Sequence, residues 1–105
     1  MSFLLFYVTH PNEETARHIA EKVVEDCLAA CANIFPIRSA YWWNGAVQQE
    51  NEWVSVLKTR LDLETDLEAS IRGMHPYEVP CILRYEVRAN TDYEKWIADA
   101  TRPAR

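Results

Sequence analysis

Glycine is almost absent from this chain: Gly45 and Gly73 are the two in 105 residues. That excludes collagen-like or Gly-rich low-complexity material and leaves no glycine-rich loop to cradle a phosphate. Cysteine is nearly as scarce. Cys27, Cys31 and Cys81 make an odd count, and the first two are one helical turn apart rather than in the C-x₂-C of a zinc knuckle or redox motif. They are expected to be small buried apolar residues. Basic charge is in deficit, with 11 Lys and Arg against 16 Asp and Glu, a net charge of −5. Broad binding of a phosphate backbone needs clustered cations, so no nucleic-acid partner is expected. No apolar run approaches the roughly 20 residues of a membrane span, and "MSFLLFYVT" lacks the basic flank of a signal peptide. The expectation is a cytoplasmic protein with no membrane partner.

What the chain does have is apolar bulk. Hydrophobic residues make up 49% of it, enough for one core, and its length suits a single domain spanning residues 1–105. Phe3 to Val8 is apolar throughout, a strand buried on both faces. Ala16, Ile19, Ala20, Val23, Cys27 and Leu28 then recur at helical spacing, with Asn12 as N-cap and Glu13 and Glu14 in the first turn. Asn33 to Trp43 and Ala46 to Thr59 flank Asn44-Gly45, the strongest short-range hairpin signal. A two-residue turn sets Trp43 opposite Ala46, Trp42 opposite Val47 and Tyr41 opposite Gln48, on arms long enough to overhang the sheet.

Leu63, Leu67, Ile71 and Met74 mark a second helix, with Asp62 as its cap and Gly73 and Pro76 at its end. Cys81 to Arg88 alternates, with Cys81, Leu83, Tyr85 and Val87 on one face, as a half-exposed edge strand does. A last helix carries a Thr91–Glu94 capping box. The order β-α-β-β-α-β plus a C-terminal helix predicts an α+β, ferredoxin-like split βαβ fold with an antiparallel sheet, strands 1 and 3 central. Both crossover helices lie on one sheet face, yet strands 1 and 3 are apolar on both. The last helix covers part of the second face and another copy of the chain covers the rest; otherwise the open face is an aggregation liability.

Three segments, "YVTHPNEETARHIAEKVVEDCLAACANIFP", "SAYWWNGAVQQENEWVSVLKTR" and "MHPYEVPCILRYEVRANTDYEKWI", together resemble the CutA family of divalent-cation tolerance proteins over almost the whole chain. The resemblance implies a ferredoxin-like subunit in a tight homotrimer, hairpins of neighbours pairing edge to edge, with a PII-like architecture. It further implies a divalent-cation tolerance role. The copper site proposed in bacterial relatives uses a Cys and two adjacent His. Val8 and Met74 stand at two of those positions here, and only His75 remains. One imidazole does not make a copper or zinc site, so His75 is kept as the single metal candidate and no cofactor is required.

The residues themselves nominate "HPYEVP". Two prolines stiffen its backbone and present His75, Tyr77 and Glu78, a set suited to ligand capture or to sealing a subunit contact. Lys58, closing strand 3, is the fourth candidate, either meeting an anionic ligand or Glu78, or snorkelling to solvent. Such a ligand site is expected between subunits. Tyr41, Trp42, Trp43 and Trp53 are assigned to an interface, since aromatics are enriched there. Glu50 and Glu52 are taken as solvated charge, and His10 and His18 as surface residues. No nucleophile–base motif is present, so the expectation is a metal- or ligand-responsive signalling scaffold rather than an enzyme. A small enzyme of unknown reaction and a structural trimer anchoring a partner protein are the alternatives.

Overall fold

The computed structural model of the chain describes residues 1–102. Strand β1 (Phe3–His10) is followed by α1 (Glu13–Glu25), the long hairpin β2 (Cys31–Trp43) and β3 (Ala46–Thr59), α2 (Glu64–Met74), β4 (Ile82–Val87) and α3 (Thr91–Ala100). The four strands form one antiparallel sheet in the order β2-β3-β1-β4, with strands 1 and 3 central as expected. No described helix is long and apolar enough to cross a membrane.

Local chemistry explains most boundaries. Asn12 caps α1 by accepting the Thr15 N–H at 2.8 Å. Asn44 and Gly45 both take positive φ, at 53° and 77°, as a type I′ turn requires. The hairpin register is the expected one, Trp43 opposite Ala46 and Tyr41 opposite Gln48. Two cap assignments are corrected. Asp62 lies in a short 3-10 turn, Leu61–Leu63, and faces Arg60 at 3.6 Å instead of capping α2. The residue before α3 is Asn90, not Thr91. Glu94 still reaches back past the helix start, accepting from the Ala89 N–H at 2.9 Å and Arg88 Nε at 2.7 Å. Arg88, that backbone N–H and the N-terminal ammonium hold its carboxyl at about 2.

Strand alternation divides the sheet into two faces. Leu4, Phe6, Val8 and Leu57 pack with Ile19, Val23, Leu67 and Ile71 of α1 and α2 in the main core. On the other face, α3 covers one end only, where Ile97 and Tyr93 meet Phe3 and Val87. Of the apolar residues of β4, Ile82 packs against the main core and Val87 against the α3 cluster. Leu83 and Tyr85 are exposed on the open face, while Arg84 lies over the Phe6 ring at 4.7 Å and pairs with Glu64 and Glu68. Before Trp53, β3 has no β1 neighbour, so residues 46–52 and the β2 residues opposite them form a projecting two-stranded ribbon, and the molecule is 47 Å long. The three cysteines are free and half-buried rather than buried.

Candidate functional site

The connection from α2 to β4 crosses the end of β1, and His75 fastens it there. Its Nε2 lies 2.7 Å from the Thr9 carbonyl oxygen, which can only accept, so Nε2 carries the proton. Its Nδ1 accepts the Tyr77 N–H at 3.1 Å. Both ring nitrogens are therefore engaged in holding the loop, and a metal at His75 has to break one of these bonds. Among the described residues, no group of three His, Cys, Asp or Glu converges for a metal ion. The donor set does not fit a copper or zinc centre within one subunit.

Beneath His75 lies a residue that corrects the expectation of a surface histidine. His10 is 0% exposed, its ring stacked on His75 with centroids 5.2 Å apart. Strand β1 runs two residues past Val8, and His10 shares the parity of Phe6 and Val8, which turns it inward. Its Nε2 meets Ser55 Oγ at 2.8 Å, while Nδ1 has no partner. Burial, with the His75 imidazole as the second cause, pushes His10 down to about 4. His18 is exposed on α1, as expected.

The loop then reaches across the open face. The Tyr77 hydroxyl donates to Glu52 Oε2 at 2.6 Å. Glu52 is 6% exposed, so its reading as solvated charge is also corrected; Glu50, two residues back, is exposed. Burial first and the Glu52 carboxylate second push the Tyr77 phenol up. Loop and ribbon enclose an open cleft of about 770 Å³, floored by Tyr7, Thr9 and Ile37 and walled by Tyr41, Trp43, Glu50, Glu52, Tyr77 and Glu78.

Three of the four nominated ligand residues thus come together, His75 holding the loop from behind while Tyr77 and Glu78 face the cleft. Lys58 does not join them. It stands opposite Leu5, four residues along β1 from Thr9 and hence about 13 Å away along the strand. There its Nζ donates to Tyr93 Oη at 3.1 Å and Asn33 Oδ1 at 3.4 Å, under α3. The aromatics of the hairpin divide between its faces. Tyr41 and Trp43 line the cleft, Trp42 is 74% exposed on the opposite face, and Trp53 is half-buried. His10, Ser55 and Glu52 were missed as site residues. The parity signal for the first two was present, since Ser55 alternates with Leu57 on the core side of β3.

The family model described as CutA1 divalent ion tolerance protein matches residues 4–100. The chain belongs to the CutA1 family. It is 42% identical to the divalent-cation tolerance protein CutA of Thermotoga maritima over 98 residues, 92% of this chain and 97% of that protein. The crystal structure of CutA1 from Oryza sativa superposes with a TM-score of 0.93 at 35% identity, covering 99% of this chain and 97% of the other. The CutA of Archaeoglobus fulgidus, described as periplasmic, gives 0.91 at 34% identity and covers 97% and 100%. Fold and family therefore agree along the whole CutA1 domain, the projecting ribbon included.

Proposed function

We propose that the protein acts as a homotrimeric CutA-like cation-response scaffold whose subunits sense a small ligand in the cleft beside "HPYEVP". One observation carries this reading: where α3 does not reach, the open sheet face leaves large apolar side chains exposed. Phe35, Leu83 and Tyr85 are exposed there, and the ribbon adds Trp43. An apolar expanse of this breadth is normally an interaction surface. A two-stranded ribbon standing by itself in water is marginal, so a neighbouring copy is its natural support. Three copies is the number the family resemblance implies, and the cleft then lies where subunits meet.

Binding rather than turnover is supported by the committed state of the polar groups. Both nitrogens of His75 hold backbone, and the Tyr77 phenol is bonded to Glu52 and hard to deprotonate. We read the response as arising through a bound molecule, because His75 is poorly placed to coordinate copper or zinc. The three free thiols support a reducing compartment, and the cytoplasm is our assignment. Light scattering at low micromolar concentration, with and without chelator, tests the assembly. The mass of three chains in both conditions is expected. A monomer in both would overturn the trimer, and trimer loss on chelation would restore a structural metal.

A further inference from the structure

The walls of the cleft say what kind of ligand suits it. Glu50, Glu52 and Glu78 line it against one cation, Arg38. Arg38 stands opposite Asn51 in the ribbon and so alternates to the other face from Glu50 and Glu52. Among the described residues none of the three carboxylates has an ion-pair partner. For Glu50 and Glu78, both exposed, solvent suffices. Glu52 is different, being 6% exposed with the Tyr77 hydroxyl as its donor and, among the described residues of its own chain, no ion-pair partner. A carboxylate withdrawn from water without a compensating charge is costly. The phenols beside these carboxyl groups respond to them: burial and then Glu50 push Tyr41 up, as burial and then Glu52 do Tyr77.

A bare metal ion is a poor match for this arrangement. Metal ligands must converge to roughly 2.0–2.6 Å from one point, whereas no three such groups converge among the described residues. Between the carboxylates the walls are aromatic, formed by Tyr41, Trp43 and Tyr77. Ring faces attract ammonium and guanidinium groups, and the same rings bury an apolar body. The volume, about 770 Å³, is that of a small-molecule pocket.

We propose that the cleft binds an organic cation, an ammonium or guanidinium group on an apolar body. Glu52 and Glu50 take the charge, and Tyr41, Trp43 and Tyr77 enclose the rest. This rests on reading the cleft as the ligand site, and adds the ligand class.

The test is calorimetric titration of the full chain, with tryptophan fluorescence alongside, using four probes: phenethylamine, agmatine, 3-phenylpropionate and Zn²⁺ alone. Phenethylamine and agmatine are expected to bind and 3-phenylpropionate is not. Glu52→Gln and Glu50→Gln should each weaken the amines about tenfold or more, the loss typical of a hydrogen bond to a charged group. Glu50 is exposed, so its variant tests the proposal even if Glu52→Gln fails to fold. Equal binding of 3-phenylpropionate and phenethylamine would overturn the charge selection. Zn²⁺ binding lost in Glu50→Gln, with no amine bound, would overturn the ligand class and leave the cleft as the site. No probe bound at millimolar concentration, with Trp43 and Tyr77 protected from hydroxyl-radical labelling, would overturn the class and the cleft together.

Discussion

The two ends of the open sheet face are made from the same strands and finished in opposite ways. At one end α3 closes over Phe3; Ile97 is fully buried, and Lys58 finds Tyr93 and Asn33 within the chain. At the other end the ribbon projects past β1, and Glu52 is buried with no ion-pair partner among the described residues of its chain. The covered end pairs Lys58 and Glu94 within the chain, leaves Arg60 Nε without a partner, and contributes stability. The cleft end leaves apolar surface and charge unmatched, which is the condition for recognising something outside the chain. A residue's contribution to folding or to recognition follows from the end at which it sits, more than from its type.

That contrast can be broken most visibly by truncation. Ile97→Ala should lower stability by about 3 kcal/mol, read as a fall in the urea midpoint, because it opens a cavity at a fully buried site. Trp43→Ala removes a larger side chain that is 46% exposed. It should keep the circular dichroism of the subunit and act on association instead. Equal losses of subunit fold in the two variants would erase the difference between the ends.

A smaller effect is expected from Tyr77→Phe, which takes the hydroxyl from buried Glu52 and should cost about 1–3 kcal/mol. An unchanged urea midpoint would show that solvent or a neighbouring chain replaces the bond.

Most diagnostic is the response to acid. His10 titrates at about 4 in the folded chain against an ordinary 6.5. Below 6.5 the unfolded chain takes up a proton that the folded chain refuses, so stability falls as pH drops from 6.5 towards 4. Glu94, held at about 2 against 4.5, gives a second fall from 4.5 towards 2, again because the unfolded chain protonates first. The cleft end, with His10 beneath its loop, should therefore weaken before the α3 end. Urea midpoints measured across pH, with His10→Gln removing the first fall and leaving the second, check the order. A single fall below 4.5 in the unsubstituted protein would remove His10 from the account.

How much of this was legible in the sequence differs by element. The hairpin and its register were, because Asn44-Gly45 encodes its turn locally and alternation follows from it. So was the loop nomination, since paired prolines and three polar side chains stand within six residues. His10 was not read as buried because strand ends fray in any pattern, and two extra residues of β1 decide which way the ring turns. Glu52 looked solvated because a Glu-rich ribbon arm normally is; its burial depends on Tyr77, 25 residues on. Lys58 was grouped with Glu78 on charge alone, and the register with β1 places it elsewhere.

By itself, then, the sequence determined what is local or periodic: the order of elements, the turn, the central strands, the family and the excess of apolar surface that asks for a partner. The tertiary structure decided which end of the open face α3 covers, that two histidines stack, and that Tyr77 meets Glu52. Those outcomes hang on contacts between residues far apart in the chain, where neither spacing nor composition carries information until the strands have docked.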